Sequence, residues 1–294
     1  MAKARLRKAT QLPEMELLGL LERLAAVGSV TCPYSLWQIV ETAAYDADDE
    51  RDEIVRIVET LSGGRCFKWA YDLVLDEMAV AVDASIIGGR APAVAPLGDG
   101  LDCFPRDVIL PRTRALAAAL GRAKGFAASV AMGRESEELR NAAAKMNNAL
   151  FGAETAAAAA RSEVRISLAA ARKLEAHAVV NGGFVTAWVT RTASEQDLPR
   201  HEVRKLILRD SLAHVPTLAM MVEIRARRDV QFDRPPKEND PSDVGHLLTL
   251  PYCDWFLTDN HAAALARDAG KPRKIVVLSK PDALVDQLRK RYPD

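Results

Sequence analysis

Acidic residues placed just past candidate strands, or at the head of a following helix, are the part of this 294-residue sequence that could do chemistry. Asp259 follows the apolar run Trp255, Phe256, Leu257, Thr258. Asp243 lies sixteen residues earlier at the start of a helical stretch, and Glu41 sits on the helix after Ser29 to Cys32. In open parallel sheets the functional crevice lies outside the carboxyl ends of the strands, so these three carboxylates are expected to converge there. Hard divalent cations such as Mg2+ take oxygen ligands and usually keep several waters. A few carboxylates from separate elements therefore suffice, without one compact motif. Two such ions can activate a water and stabilise the leaving oxygen of a phosphodiester. A solvated surface position is the ordinary fate of any single Asp or Glu, and it is position and combination that single these out.

Other chemistries find no foothold. The glycine pairs lack the GK[ST] ending of a phosphate loop, no GxGxxG follows a strand, and neither GxSxG nor a catalytic cysteine motif is present. Cys32, Cys66, Cys103 and Cys253 form no CxxC or CxH pair, which speaks against structural zinc and a disulfide framework and for reduced thiols. His246 and His261 flank the acidic strand and could orient a water or contact phosphate; the commoner role for such a histidine is a local hydrogen bond. Trp37, Tyr252 and Trp255 read as core packing before base stacking. Asp254, ahead of the strand, reads equally as a carboxylate supporting the ligands or as a surface group.

The elements that must position these residues follow from periodicity. Hydrophobic residues make up 49% and charged residues 27% of the chain, a balance that gives a folded core and argues against disorder. Helical spacing runs from Pro13 to Val27, with Gly28 as a stop. A short strand is expected at Ser29 to Cys32, then helices opened by Pro33 and Ser35, by the acidic cluster from Asp48, and over Tyr71 to Val82. Ile87 to Pro111, with four prolines and four glycines, reads as a linker between helical layers. Arg112 to His177 is Ala-rich and reads as long helices, followed by helices at Pro199 to Leu212 and Thr217 to Arg228. After the polar break Asp233 to Pro241 the period changes. Helix Asp243 to Leu250, strand Trp255 to Thr258, helix His261 to Arg267, strand Ile275 to Leu278 and helix Pro281 to Arg291 imply an α/β fold with a parallel sheet flanked by helices.

Charge is uneven beneath a formal net of zero, which excludes a strongly basic nucleic-acid binder as a whole. Glu41 to Asp83 holds twelve acidic residues against four basic, and Arg112 to Lys173 eleven basic against five acidic. That suits a metal-binding pocket beside a polyanion-binding arm, or two solvated helix faces. No apolar run approaches the roughly 20 residues of a membrane helix, so a soluble, cytoplasmic protein is expected.

The segment Pro33-Tyr-Ser-Leu-Trp-Gln-Ile-Val-Glu41-Thr, the segment Asp240-Pro-Ser-Asp243-Val-Gly-His246-Leu-Leu, and Pro251-Tyr-Cys-Asp254-Trp-Phe-Leu-Thr258-Asp259-Asn260 together resemble the PIN-domain (PilT N-terminus) ribonucleases, especially larger PIN-like relatives with helical inserts. Ile275-Val-Val-Leu and Pro281-Asp-Ala-Leu-Val are similar to the family's closing strand and helix. The resemblance covers about residues 14 to 83 and 239 to 291, and its most specific part is Tyr252 to Asp259. It implies an N-terminal PIN-like part over 1–83, a helical insertion over 84–238 and a C-terminal PIN-like part over 239–294. It also implies a Mg2+ or Mn2+ dependent ribonuclease acting on RNA or other single-stranded nucleic acid. Glu41, Asp243 and Asp259 would be catalytic and metal-binding, and Asp240 and Asp254 further metal-site carboxylates. By family analogy the protein would be a toxin or defence effector, with a second copy or an inhibitory protein as partner.

One departure concerns the first strand, which in the family ends in a metal-binding Asp. Met1 to Thr10 is basic and has no acidic residue. The resemblance therefore implies either a start upstream of Met1 or an incomplete site, with Glu14, Glu16, Asp76 and Glu77 as candidate substitutes. Two rivals remain open: a noncatalytic PIN-like module that binds RNA or a protein, and a helical scaffold in which the apparent strands are core helix segments.

Overall fold

The structure, a computed structural model, describes residues 13–44, 47–89, 92–104, 125–135, 166–231 and 240–293. The basic start of the chain and most of the Ala-rich stretch Arg112 to Lys173 lie outside the described residues. The architecture is mixed α/β and mostly helical, with two small sheets.

The N-terminal helices form where the sequence favours them. Helix α1 (Pro13–Ala26) carries Glu14 and Glu16 in its first turn, which suits the positive end of the helix dipole, and buries Leu17, Leu18, Leu20 and Leu21. Helix α2 (Leu36–Ala43) opens at Ser35, whose backbone N–H donates to the Gln38 side chain at 2.8 Å. Helix α3 (Asp48–Ser62) starts on Asp48, Asp49 and Glu50 and stops at Gly63, whose φ of 57° is the left-handed conformation that glycine adopts without penalty.

The strand expected at Ser29 to Cys32 is absent. Ser29 and Val30 instead donate their N–H groups to Leu24 O, closing the end of α1, and the Cys32 N–H goes to Leu61 O. Only an isolated parallel bridge follows, between Tyr34 and Cys66. Cys66 belongs to β1 (Arg65–Phe67), which pairs antiparallel with β2 (Leu97–Asp99). The stretch read as a linker therefore contributes a strand and a 3-10 turn, Gly100–Cys103. Between β1 and β2 runs α4 (Ala70–Ile87), and beyond them lies α5 (Phe126–Glu135).

The central helices α6 (Leu168–Val180), α7 (Gly183–Glu195), α8 (Arg200–Leu208) and α9 (Pro216–Gln231) precede α10 (Asp240–Leu247). Val74 and Met78 of α4, Trp188 of α7, Ile224 of α9, Leu250 and Ala263 share one apolar cluster. Residues from the expected insertion and from both parts flanking it thus bury their apolar faces together in this cluster, the largest of three.

At the C-terminus the expected alternation is present: β3 (Trp255–Leu257), α11 (Asn260–Gly270), β4 (Val276–Leu278) and α12 (Pro281–Arg291). β3 and β4 are parallel, with Trp255 opposite Val276 and Leu257 opposite Leu278. The Val276 N–H donates to Asp254 O at 3.1 Å and the Thr258 N–H to Leu278 O at 3.0 Å. These strands remove the reading of the two runs as core helix. The larger parallel sheet implied by the sequence is not formed among the described residues: apart from the isolated Tyr34–Cys66 bridge, the parallel pairing is that of β3 and β4, and β1 and β2 run antiparallel. The strands are three residues each, and most apolar burial is helix on helix. No helix among the described residues is long and apolar enough to cross a membrane.

Candidate functional site

A cleft of about 630 Å3 runs between residues 29–33 on one side and 254–258 on the other. Leu17 and Leu21 of α1, Leu284 and Leu288 of α12, and Phe67 and Leu97 of the antiparallel pair give it apolar walls. Its polar wall holds Ser35, Gln38, Glu41, His246 and Asp254. A cavity of this size with apolar walls and a few convergent polar groups has the form of a binding site.

Apart from Asp254, which precedes β3 on the facing side, the polar wall is built by α2 and α10. These helices meet at Gly245, which lies against the indole of Trp37, an approach that leaves no room for a side chain at 245. One residue on, the His246 ring reaches the cleft. Its Nε2 stands 3.5 Å from Glu41 Oε1, and its Nδ1 stands 3.4 Å from Ser35 Oγ. The imidazole thus spans the start of α2 and the carboxylate near its end. The sequence favoured a hydrogen bond to protein over a water or phosphate contact for His246, and the structure sets its two nitrogens against Glu41 and Ser35. The sequence marks Ser35 as a helix opener in the segment leading to Glu41 but names neither it nor Gln38 as a site residue, though serine followed three residues later by glutamine is a legible helix-opening signal.

Glu41 is exposed on the cleft wall. Asp254 is also exposed there, and its backbone carbonyl closes the β3–β4 ladder. Thr258 lines the cleft and Asp259 follows it at the surface, where Asp259 Oδ1 accepts the Ala262 N–H at 3.0 Å and so caps α11. Asp240 and Asp243 lie in the first turn of α10, and their side chains are outside the described residues. The structure therefore sets Glu41 and Asp254 on one cleft, puts Asp259 directly after a cleft residue, and carries Asp243 on the helix packed against that of Glu41. Among the described residues no three His, Cys, Asp or Glu side chains gather to hold a metal ion.

Three of the four candidate substitutes for a first-strand carboxylate, Glu16, Asp76 and Glu77, have other partners. Glu16 pairs with Arg289 at 2.7 Å and Asp76 with Lys68 at 3.7 Å. Glu77 is 2% exposed. Its carboxyl accepts the Thr217 N–H at 3.0 Å, the Thr217 hydroxyl at 2.6 Å and the hydroxyl of Tyr252, itself a cleft residue. Burial raises the Glu77 carboxyl above its ordinary range, against the hydrogen bonds from Thr217 and Tyr252 that favour the charged form. The phenol of Tyr252 is raised as well, by burial first and then by the Glu77 charge. Burial likewise pushes the thiols of Cys32 and Cys253, both on the cleft, up to about 11 and about 12. Both stay protonated near neutrality, which makes them poor nucleophiles.

At the amino end of β3 an aromatic pair closes the cleft. Trp255 and Tyr292 have ring centroids 6.5 Å apart at an interplanar angle of 58°, and the Arg291 guanidinium lies 5.1 Å from the Trp255 ring. The Tyr292 hydroxyl donates to Ser29 O at 3.0 Å, tying α12 to the opposite cleft wall.

Comparison with known proteins adds no relative: no family model, no curated protein and no solved structure matches the chain.

Proposed function

We propose that the chain is a PIN-like endoribonuclease dependent on Mg2+ or Mn2+, in which Glu41, Asp243 and Asp259 bind metal and carry catalysis, with Asp240 and Asp254 beside them. The observation that carries this reading is the packing of the Glu41 helix on the Asp243 helix, joined by His246, along a cleft whose opposite wall is a strand leading into Asp259. By donor type these residues fit a hard cation, which prefers carboxylate oxygens. When bound, such an ion supplies an activated water and stabilises a leaving oxygen.

The chain's own residues hold the site in shape. His246 restrains the Glu41 carboxylate from one side of the ring while Ser35 steadies the other. The Asp259 carboxylate accepts the Ala262 N–H through Oδ1, which fixes its position at the head of α11, directly after the cleft residue Thr258. RNA as substrate and a toxin or defence-effector role rest on the family resemblance, which is an argument by analogy, and a cytoplasmic setting rests on the sequence's hydropathy.

A noncatalytic PIN-like module that binds RNA or protein is the second reading, favoured by the use of Asp259 as a helix cap. Calorimetric titration with Mn2+ and cleavage of structured and unstructured RNA separate the two. Metal-dependent cleavage and Mn2+ heat that both disappear in Glu41→Gln support the nuclease. RNA binding with neither cleavage nor Mn2+ heat replaces it with the binding module.

A further inference from the structure

The C-terminal unit is basic in a way the neutral total conceals. From Arg267 to Arg291 the chain holds eight basic residues against three acidic, a local net of +5. The fold gathers six of the eight at one place. Lys271, Arg273 and Lys274 form the turn just ahead of β4. Helix α12 follows β4, packs on both strands and runs back, so its last turn, Arg289, Lys290 and Arg291, returns to the same end. The position of Arg291 over Trp255, the first residue of β3, fixes that return.

We propose that this end of the β3–β4 pair is a binding surface for single-stranded RNA, with Lys271, Lys274, Lys290 and Arg291 on phosphates and the Trp255–Tyr292 pair on a base. The choice of RNA rests on the ribonuclease reading above; the surface itself rests on charge and aromatic placement. Lys271, Lys274, Lys290 and Arg291 are exposed, and Trp255 and Tyr292 are partly so. Phosphate-tracking cations beside an aromatic face are what a single strand needs, because its bases are free to stack on protein rings and those of a duplex are not. Among the described residues the carboxylates of Glu16, held by Arg289, Asp254, and Asp286, one turn before Lys290, border the surface. At about 3.3 Å per residue along a strand, Trp255 lies roughly 13 Å from Asp259, so a strand seated on the ring pair extends along β3 toward the candidate carboxylates.

The test uses the full chain in EDTA, so that binding is read without cleavage, and a short fluorescein-labelled single-stranded RNA followed by anisotropy. Lys274→Glu with Lys290→Glu is expected to weaken binding at least about tenfold and to lower the salt slope by about 1.4, at roughly 0.7 per lost phosphate contact. Trp255→Leu is expected to weaken it about fivefold or more through lost stacking. The chain has four tryptophans, and Trp37, Trp69 and Trp188 are each 6% exposed, so bound RNA should quench emission from Trp255 and the quenching should vanish in Trp255→Phe. Unchanged affinity in the double charge reversal, or duplex RNA binding as tightly as single-stranded, overturns the proposal. Cleavage is measured separately with metal, so a chain that binds here without cutting sinks the nuclease reading and leaves this surface standing.

Discussion

Gly245 and Trp37 approach so closely that a Cβ built on the glycine would stand 2.6 Å from the indole Cδ1. That contact sets the spacing of α10 and α2, and with it the reach of His246 to Glu41. In a helix, alanine is ordinarily favoured over glycine by roughly 1 kcal/mol. Here the order should reverse. Gly245→Ala is expected to lose about 1–3 kcal/mol by overpacking, read by urea unfolding. Trp37→Leu, which is costly alone, should reduce the cost of Gly245→Ala, so that the double-mutant cycle shows the two changes to be non-additive. A Gly245→Ala protein as stable as the parent would show that α2 and α10 do not pack as described.

Asp259 caps α11, and two substitutions separate that role from the proposed metal ligation. As the cap of α11 it accepts the Ala262 N–H. Asparagine caps about as well as aspartate, so Asp259→Asn should leave stability within a few tenths of a kcal/mol, and Asp259→Ala should lose about 1 kcal/mol. If Asp259 is also a metal ligand, Asp259→Asn abolishes cleavage despite the intact fold. Equal thermal midpoints for the Asn and Ala variants would remove the cap, and full cleavage by the Asn variant would remove the ligand.

Glu77 makes stability depend on pH. Its carboxyl titrates above the ordinary range in the folded state, because burial outweighs the three donors around it. The folded chain then holds its proton more tightly than the unfolded chain. The associated stability is fully present below the unfolded value, near 4.3, and is lost as pH rises through the folded value. Glu77→Gln should flatten that decline. The measurement is urea unfolding of both proteins from the ordinary carboxylate range to neutrality, and parallel slopes for the two would show that Glu77 is not the group responsible.

Tyr252→Phe tests the same cluster from the cleft side. Removing the phenol takes one donor from a buried carboxyl, an imbalance expected to cost about 1–3 kcal/mol at neutral pH. The loss should shrink in acid, where a protonated Glu77 no longer needs the donor. A loss that is constant with pH would place the effect in packing instead.

Much of this architecture is legible in the sequence where one local signal dominates. The acidic start at Asp48 and the glycines at 63 and 64 delimit α3, and the short apolar runs at Trp255 and Ile275 give the parallel strands. Legibility fails where long-range partners decide. Ser29 to Cys32 has strand composition, yet the Ser29 and Val30 N–H groups close the end of α1 on Leu24 O, and the Cys32 N–H goes to Leu61 O, a partner no local window contains. β2 hides in a Gly and Pro rich stretch because three residues carry too little alternation to stand out, and only Arg65 to Phe67 across the pairing defines it. The cleft carboxylates Glu41 and Asp254 were visible through their place beside elements. The Glu77–Thr217–Tyr252 cluster was not, since it joins residues 140 and 35 positions apart.

The phase of the β3–β4 ladder gives the cleft a backbone character of its own. Asp254 O and Thr258 N face β4, so in a parallel pair Phe256 faces β4 as well, and the main-chain groups of Trp255 and Leu257 point the other way, into the cleft. Amide hydrogen exchange should therefore alternate along five residues, slow at Phe256 and Thr258 and fast at Trp255 and Leu257. A strand whose neighbouring amides report in turn the interior of a ladder and the water of an open edge carries its own gauge of occupancy: whatever settles along that edge will slow the two fast protons and leave the two slow ones as they were.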